Sequence, residues 1–373
     1  MRMALRLSRN GAGNTSPNPM VGAVLVKASQ VIGRGWHRRA GESHAEIEAL
    51  RDAEKKGHSP AGATLYVTLE PCSTRGQTGP CTEAIIKAGI SRVIVGATDP
   101  NPKHKGKGFK LLRNAGIRVE AGLLTSECEE LNEAFNHWIV RRTPWVTVKA
   151  AMTLDGKIAT ASGESKWITG PSARLAGMEL RRTADAILVG INTILADDPS
   201  LTLRGIQAPK LVHLRRIILD SMARTPLGAR VVSDENAELT TIVVSRAAPK
   251  SRIKALTKRA AVLVAPLRRK RKSVGSSAVQ ELDLRWVVKR LGADQVTSLL
   301  VEGGGEVNAS FLMDGLAHRV AFFYAPKVLG GRAARKAVAG EGATCWKETL
   351  RLQDIRWKQL GEDLFLSARV LPF

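Results

Sequence analysis

The sequence predicts a two-domain α/β protein, and three observations support this fold class. The chain has 373 residues, which is long for one compact domain and favours two. From residue 20 onward, runs rich in β-branched residues alternate with helical patterns, as in α/β layers with parallel strands. The pattern restarts after Pro144, which places the boundary near 143–145. The predicted domains therefore span residues 1–143 and 144–373.

The first predicted domain opens with a hairpin and continues with helices and strands in alternation. The hairpin is "MVGAVLVKASQVIGRGWH" (20–37), two β-rich runs around a polar break. "HAEIEALRDAEKKG" predicts a helix that ends near Gly57, and "ATLYVTLEPC" predicts a strand that leads into Cys72. A helix at "CTEAIIKAGI", a strand at "RVIVGATDP" and a helix at "GFKLLRNAGI" follow, before "RVEAGLL".

The second predicted domain begins with a strand at "WVTVKAAMTLDGKIATASG" and a helix at "PSARLAGMELRRTA", with Pro171 in its first turn. Further strands are predicted at "AILVG", "RRIILD", "TTIVVS" and "AVLVA". "TSLLVEGGGEVNASFLMDG" reads as a buried strand, a glycine turn and a helix, and strands at "HRVAFFYAPKVLGG" and "DLFLSARVLPF" complete the domain. Residues 247–285 are basic and are expected to form an irregular surface insertion.

The composition excludes several classes of protein. No run of 18 or more apolar residues occurs, so no membrane-spanning helix is expected. The start, "MRMALRLSRNGAG", lacks the apolar core of a secretory signal, which favours a cytoplasmic location. Four cysteines are too few for a disulfide framework, so a close pair is better explained by metal binding or catalysis.

The formal net charge of +23 indicates an anionic partner, which could be a nucleic acid, a phosphorylated metabolite or a dinucleotide. Aromatic residues make up only 4% of the chain, which leaves few platforms on which single-stranded nucleic acid could stack. The charge alone does not choose among these partners.

The strongest chemical pattern combines "HAE" (44–46) with "EPCSTRGQTGPC" (70–81). One imidazole, of His44, and two thiolates, of Cys72 and Cys81, form a ligand set suited to zinc. Three protein ligands leave the fourth position open for water, as in catalytic sites. Glu46 could then carry a proton between this water and a departing amine.

The predicted elements agree with this chemistry, because Cys72 follows a strand while His44 and Cys81 each stand at a helix N-terminus. Zinc nucleobase deaminases carry a related His-x-Glu and Pro-Cys-x-x-Cys pattern. Here eight residues separate the two cysteines. The alternative is a surface "HAE" and two unrelated buried cysteines. His37 and His104 are interpreted as surface or substrate-proximal residues, and Cys128 and Cys345 have no neighbouring cysteine in the sequence.

A second pattern, "LLVEGGGEV", places a glycine turn between a strand and a helix. Glycines let backbone N–H groups approach a phosphate, and a helix N-terminus favours negative charge. Three glycines alone more often form only a tight turn. The segment "LDGKIATASGESKWITG" adds small and polar residues around Trp167, which is typical of a ligand-lining loop, although Trp167 could also be a core residue.

Together these motifs resemble the bifunctional riboflavin-biosynthesis deaminase–reductase family. The deaminase half is matched by "NTSPNPMVGAVLV", "HAEIEAL", "TLEPC…GPC" and "GATDPNPKHKGKG". The reductase half is matched by "KAAMTLDGKIATASGESKWITG", "ADAILVGINTILADDPSLTLR", "LDS" and "LLVEGGGEVNASF". The resemblance implies a cytidine-deaminase-like three-layer α/β/α domain followed by a dihydrofolate-reductase-like α/β domain.

The resemblance also implies activities, cofactors and partners. The first domain would use Zn²⁺ to deaminate 2,5-diamino-6-(5-phosphoribosylamino)pyrimidin-4-one. The second would use NADPH to reduce the ribosyl group to a ribityl chain. The expected partner is therefore a phosphoribosyl-pyrimidine, with no nucleic acid and no membrane, and the possibility of a homo-oligomer stays open.

The resemblance assigns roles to individual residues. His44, Cys72 and Cys81 map to the zinc ligands, Glu46 to the proton shuttle, and Asn18 to a position near the substrate ring. NADPH contacts are implied for Ala151, Trp167, Thr193, Asp197, Ser221, Gly304, Gly305, Glu306, Val307, Asn308, Ala309 and Ser310. Substrate contacts are implied for Ser165, Arg181, Leu201, Arg204 and Glu302, with the arginines suited to phosphate.

Two points qualify these assignments. The loop "CSTRGQTGPC" departs from the family pattern, since Thr74 replaces a histidine, Gln77 a basic residue and Gly79 a proline. We expect Arg75 to supply a compensating cation for the substrate phosphate. In addition, the Arg181 region, "ELRRTA", could be a solvated helix end.

Two other functions are compatible with parts of the sequence. A nucleic-acid base deaminase acting on tRNA would explain the zinc pattern and the positive charge, but not "DGKIATASGES" or "VEGGGE". A zinc-stabilised binding module without catalysis would explain His44 and the two cysteines, but it leaves Glu46 without a role.

Overall fold

The structure is a computed structural model, and it describes residues 1–74, 79–205, 214–270 and 279–371. The chain divides into two compact units, Met1–Arg142 and Thr143–Phe373. Each unit has its own sheet and its own hydrophobic core. No helix among the described residues is long and apolar enough to cross a membrane.

The first unit is built on one five-stranded sheet with the strand order β2-β1-β3-β4-β5. β1 runs antiparallel to β2 and β3, whereas β3, β4 and β5 are parallel to one another. The strands are β1 (Gly22–Lys27), β2 (Gln30–Trp36), β3 (Thr64–Leu69), β4 (Arg92–Ala97) and β5 (Arg118–Ala121). The helices are α1 (Arg2–Ser8), α2 (Ala45–Lys55), α3 (Cys81–Lys87), α4 (Lys107–Asn114), α5 (Thr125–Leu131) and α6 (Glu133–Arg141).

Helix α2 lies unusually close to the sheet because small residues face each other across the contact. Ala45, Ala49 and Ala53 recur every four residues and are fully buried. Opposite them, a Cβ added to Gly33 would stand 2.3 Å from the Ala49 carbonyl oxygen, and one added to Gly35 2.3 Å from that of Ala45. This packing fixes the start of α2 against the sheet.

The second unit is built on a nine-stranded sheet with the order β11-β10-β9-β8-β14-β6-β15-β18-β17. Two ribbons, β12 with β13 and β7 with β16, complete it. The strands are β6 (Trp145–Thr153), β7 (Lys157–Ala159), β8 (Ala186–Gly190), β9 (Arg215–Leu219), β10 (Thr240–Ser245), β11 (Ala261–Ala265), β12 (Leu267–Lys270), β13 (Val279–Leu282), β14 (Ser298–Val301), β15 (Arg319–Ala325), β16 (Arg335–Lys336), β17 (Leu352–Leu360) and β18 (Asp363–Val370). The helices are α7 (Pro171–Arg182), α8 (Ile191–Asp197), α9 (Arg230–Ser233), α10 (Lys250–Thr257), α11 (Leu284–Ala293) and α12 (Gly304–Met313).

Two helices start where neighbouring parallel strands of this sheet end. β8 ends at Gly190 and α8 begins at the next residue, while β14 ends at Val301 and α12 begins at Gly304. Because β8 and β14 are parallel neighbours, these strand ends lie at the same edge of the sheet. In open α/β sheets this is the edge at which ligands bind.

The prediction of an irregular insertion at 247–285 is wrong for the described part of that segment. It contains helix α10, the β12–β13 ribbon and the sheet-edge strand β11, which the sequence indicated at "AVLVA". Basic residues of α10, such as Lys250 and Lys254, hid its helical periodicity. Residues 271–278, which include part of "LRRKRK", lie outside the described residues.

Candidate active sites

The first candidate site joins His44, Cys72 and Cys81 at the ends of three elements. His44 is the residue before α2, Cys72 lies three residues beyond β3, and Cys81 begins α3. The His44 Nδ1 atom lies 3.2 Å from the Cys81 sulfur and 3.5 Å from the Cys72 sulfur. All three ligand atoms lie within 4.8 Å of one another. Tetrahedral zinc separates such ligand atoms by about 3.5 to 3.8 Å, so this set fits the ion.

Local hydrogen bonds prepare Cys72 to act as a thiolate. The Cys72 sulfur accepts hydrogen bonds from the Cys81 thiol, from the His44 ring and from the Cys81 backbone N–H, whose nitrogen lies 3.3 Å away. Together these bonds lower the pKa of Cys72 to about 4. The pKa of His44 is raised, first by its bond to Cys72. The pKa of Cys81 is raised because its thiol donates to Cys72 and is buried. The site thus already holds negative charge on sulfur for a cation.

Glu46 lies in the first turn of α2 and only 3% of its surface is exposed. Burial raises the pKa of its carboxyl to about 7, against the opposing effect of the nearby His44 charge. A carboxyl with this pKa can accept and release a proton at neutral pH. Packing of α2 on the sheet therefore places a carboxyl that can exchange protons near neutral pH beside His44, Cys72 and Cys81.

Asn18 is held close to His44 by His37, interpreted from the sequence as a surface or substrate-proximal residue. The His37 Nδ1–H donates to the Ser43 carbonyl at 3.1 Å, so its Nε2 accepts from the Asn18 amide at 3.2 Å. The His37 and His44 rings meet edge to face with centroids 5.3 Å apart. His37 is 2% exposed, which excludes a surface role, and burial lowers its pKa.

The loop that departs from the family pattern is described only in part. The Thr74 hydroxyl lies 3.4 Å from the His104 Nδ1 atom, so a histidine from another segment stands beside the substituted position. Among the described residues, none lies within 4 Å of a Cβ added to Gly79. Arg75 and Gln77 lie outside the described residues.

The second candidate site is a cavity of about 980 Å³ in the second unit, at the strand ends that precede α8 and α12. The glycine turn forms one wall. A Cβ added to Gly303 would stand 2.3 Å from the Val307 side chain, and one added to Gly305 would stand 2.3 Å from the Lys336 carbonyl oxygen. Gly304 has φ +75° and open space around it. Together with the α12 N-terminus, this turn is a fitting cradle for the phosphates of a dinucleotide.

Seven residues assigned from the sequence line this cavity. They come from three separate segments of the chain and are Ser165, Thr193, Asp197, Gly304, Gly305, Glu306 and Val307.

A smaller cavity of about 450 Å³ adjoins the loop "ESKWITG" and is lined by Ser165, Trp167 and Lys327, among others. Trp167 is 67% exposed, so it is not a core residue. The Arg174 guanidinium lies 4.7 Å from its ring centroid, and the Lys327 ammonium donates to the Trp167 carbonyl at 3.1 Å. Ser165 lines both cavities.

Glu302, just before the glycine turn, forms a buried ion cluster with Arg181 and Lys149. The Arg181 guanidinium donates to both carboxylate oxygens at 2.8 and 3.0 Å, and the Lys149 ammonium donates at 3.3 Å. Although burial alone would raise it, these two cations hold the pKa of Glu302 at about 2. Arg181 is 8% exposed, so it is not a solvated helix end. It also donates to the Thr202 carbonyl at 3.2 Å.

The remaining assigned residues do not line the two cavities. Ala151 pairs with Phe323 inside the sheet, and the Asn308 amide is buried and donates to the Ala337 carbonyl at 2.9 Å. Ala309 is buried beside Gly340. Leu201 is buried with φ +53°, and Arg204 is exposed. Ser221, which follows β9, and Ser310, in α12, also line neither cavity.

Comparison with known proteins gives the family of each half. Residues 144–366, more than half of the chain, match the RibD C-terminal domain, and residues 1–97 match the cytidine and deoxycytidylate deaminase zinc-binding region. The chain belongs to the RibD family. RibD of Aquifex aeolicus is 42% identical over 98% of this chain and 96% of its own length. RibD of Escherichia coli is 39% identical over 89% of this chain and 88% of its own length.

Solved RibD structures share the fold over the whole chain. Acinetobacter baumannii RibD superimposes with a TM-score of 0.84 at 34% identity, covering 99% of this chain and 97% of that one. The Thermotoga maritima protein, titled a diaminohydroxyphosphoribosylaminopyrimidine deaminase/5-amino-6-(5-phosphoribosylamino)uracil reductase, gives 0.82 at 33% identity, covering 100% and 97%. The predicted family and fold class, a zinc deaminase domain followed by a reductase domain, are thereby confirmed.

Proposed function

We propose that this RibD protein catalyses two successive steps of riboflavin biosynthesis. The first is hydrolytic deamination of 2,5-diamino-6-(5-phosphoribosylamino)pyrimidin-4(3H)-one to 5-amino-6-(5-phosphoribosylamino)uracil. The second is NADPH-dependent reduction of the ribosyl group to the ribityl side chain. The observation that carries the proposal is the preformed His44, Cys72 and Cys81 cluster beside Glu46, on the same chain as the glycine-turn cavity.

In the deaminase site, His44, Cys72 and Cys81 are the zinc ligands. Zinc, when bound there, activates a water molecule for attack on the ring carbon that carries the amino group. Glu46 takes up the proton and delivers it to the departing amine, since its pKa near neutrality suits both transfers. Asn18, oriented through His37, contacts the pyrimidine ring.

In the reductase site, the glycine turn and the α12 N-terminus hold the cofactor phosphates. NADPH, when bound, supplies the hydride. Thr193 and Asp197 contact the cofactor from α8, and Trp167 contacts it from the smaller cavity. Ser165 faces the substrate from its place between the two cavities. The ion pairs of Glu302 with Arg181 and Lys149 neutralise its carboxylate and fix the position of the residue that precedes the turn.

We assign the deaminase to residues 1–143 and the reductase to residues 144–373. Two observations support this division. The first compact unit ends at Arg142 and the second begins at Thr143, and the match to the RibD C-terminal domain covers residues 144–366. The proposal places the enzyme in the cytoplasm and gives it a phosphoribosyl-pyrimidine as partner, without nucleic acid.

A direct test mixes the zinc-loaded protein with the diaminopyrimidine phosphate and NADPH, and follows both products by mass spectrometry. We expect the deaminated pyrimidine to appear first and its ribityl form to follow with matching NADPH oxidation. Absence of both products, together with tight, salt-dependent RNA binding and base conversion, would instead identify a nucleic-acid deaminase.

A further inference from the structure

Arg335 and Lys336, which the sequence did not single out, lie side by side on the wall of the larger cavity. They form β16, and we refer to them as the β16 cation pair. Both side chains are exposed, and no carboxylate of the described residues lies within salt-bridge distance of either. Two unpaired cations therefore face a cavity whose other walls are a glycine turn and α8.

Both residues of β16 line the larger cavity, beside a bulge in the paired strand. Arg335 pairs with Ala159 and Lys336 pairs with Lys157, which leaves Ile158 as an extra residue on β7. Bulges of this kind occur often beside ligand sites.

Repulsion between two lysines in this ribbon favours an anionic ligand beside it. Lys157 stands directly opposite Lys336 in the ribbon, an arrangement that costs stability when no anion is near. Among the described residues, the other charged groups on the cavity wall are the acids Asp197 and Glu306, which would repel a phosphorylated ligand. The attraction for such a ligand must therefore come from the β16 cation pair and the backbone N–H groups of the turn.

The pair is fixed relative to the phosphate cradle. The Lys336 carbonyl packs against Gly305, and the Ala339 N–H donates to the Gly305 carbonyl at 3.1 Å. On the other side, a guanidinium nitrogen of Arg335 would stand 3.3 Å from a Cβ added to Gly163, two residues before Ser165. The cations thus lie between the glycine turn and the loop that separates the two cavities.

We propose that the β16 cation pair binds a phosphate monoester dianion in this cavity. Two ligands of the proposed reaction carry that group: NADPH on its adenosine ribose, and the pyrimidine substrate on its sugar. The inference rests on the proposed function, and it adds a binding site to it. Arg335 supplies a planar fork that suits phosphate oxygens, and Lys336 supplies a point charge.

The test compares the Arg335→Gln/Lys336→Gln double variant with Arg332→Gln, an exposed arginine of the same segment that does not line the cavity. KM and kcat are measured with NADPH and NADH, and with the substrate with and without its phosphate. We expect the KM for the one ligand whose phosphate is bound to rise about 10- to 100-fold in the double variant. The KM for its dephosphorylated counterpart, the deamination rate and the melting temperature should stay unchanged.

The arms separate the two sources of phosphate. A rise confined to NADPH identifies the cofactor phosphate, and one confined to the phosphorylated pyrimidine identifies the substrate phosphate. An equal rise for both members of each pair, or no rise at all, overturns the proposal. If the wild-type protein oxidises no NADPH, the proposed function fails. Titration calorimetry with adenosine 2′,5′-bisphosphate and with ribose 5-phosphate then still tests the β16 cation pair, because the double variant must bind one of these two ligands more weakly than the wild type does.

Discussion

Two buried glutamates of this protein are tuned to opposite tasks by their neighbours. Burial without a strong ion pair raises the pKa of Glu46 to about 7, whereas Lys149 and Arg181 overcome burial and hold that of Glu302 at about 2. Glu46 can therefore exchange protons near neutral pH, and Glu302 stays charged. The same type of side chain is therefore suited to proton exchange in one unit and to a permanent charge in the other.

The first prediction concerns Glu46. Glu46→Gln should lower the deamination rate by about 10²- to 10⁴-fold, because the proton carrier is lost while the metal ligands remain. Zinc content, measured by atomic absorption, should be unchanged. Glu48→Gln is the matched control, since Glu48 lies on the same helix and pairs with Arg38 and Arg51 at the surface. Equal activity of the two variants would remove Glu46 from the mechanism.

The second prediction concerns the Glu302 ion cluster. Glu302→Gln leaves two buried cations without their partner, so at pH 7 it should cost about 3–5 kcal/mol in the free energy of unfolding. The unfolded carboxyl titrates near pH 4.3 and the folded one near 2. The stabilisation is therefore complete above that unfolded pKa and is lost as the pH falls towards 2.

Denaturant unfolding at several pH values checks this expectation. The stability gap between the wild type and Glu302→Gln should shrink steadily below about pH 4.3. Glu179→Gln, which removes an exposed pair with Arg182, should cost less than about 1 kcal/mol. A gap that stays constant down to pH 2 would show that Glu302 is not ionised through this network.

How far individual residues could be predicted depended on whether a local pattern marked them. His44, Cys72 and Cys81 each adjoin the end of a predictable element, so their convergence could be expected. The role of His37 could be assigned only from the structure, which shows its hydrogen bonds to the Asn18 side chain and the Ser43 carbonyl. The β16 cation pair lies on a two-residue strand, which is too short for any sequence periodicity to indicate.

At the scale of elements, a buried arginine fastens one loop of the reductase site to the sheet. Arg216 on β9 is 1% exposed and donates to both oxygens of Asp234 at 2.7 and 2.8 Å. It also donates to the Ser200 carbonyl at 2.9 Å, just before Leu201. The segment that carries two assigned substrate residues, Leu201 and Arg204, is thus held from within the core.

The third prediction follows from this anchor. Arg216→Met should lower the free energy of unfolding by about 3–5 kcal/mol, because Asp234 is left without its partner. Adding Asp234→Leu should restore the part of that loss that comes from the unpaired carboxylate, but not the part from the Ser200 and Val231 carbonyls, to which Arg216 also donates. Arg215→Met, at the exposed neighbouring position, is the control. A double variant no more stable than Arg216→Met would refute the pairing.

Helices and strands could be predicted where burial of one face imposes a regular apolar pattern on the sequence. Elements without such a pattern could not be predicted. The β6, β8, β9, β10 and β14 strands are buried and apolar, and the sequence indicated all of them. β17 escaped because its residues, such as Arg356 and Lys358, are nearly all exposed at the edge of the sheet. α10 escaped because its basic residues were read as loop.

At the scale of the whole molecule, the chain pairs two units that each have their own ligand. Cys72, Cys81 and His44 belong to Met1–Arg142, and both cavities belong to Thr143–Phe373. A ligand that binds only the folded form of a unit stabilises that unit. Zinc and NADPH should therefore act on separate unfolding transitions.

The fourth prediction uses the full chain in calorimetry. Chelation of zinc should lower the midpoint temperature of one transition and leave that of the other unchanged. NADPH at 100 times its Kd should raise only the midpoint of the other transition, because it adds about 2.7 kcal/mol to the free energy of unfolding of that unit. Cys81→Ser should reproduce the effect of chelation, while Cys345→Ser, at an exposed cysteine of the second unit, should not. Chelation that shifts both midpoints equally would contradict the assignment.

The proposed function requires that one chain deaminates the pyrimidine and then reduces the product. The most direct measurement follows NADPH oxidation by the zinc-loaded Glu46→Gln variant with two substrates, the diaminopyrimidine phosphate and its deaminated form. We expect oxidation with the deaminated form at the wild-type rate, and oxidation with the diamino form at a rate at least about 100-fold lower. Oxidation at equal rates with both substrates would contradict it, because the reductase step would then not depend on deamination at Glu46.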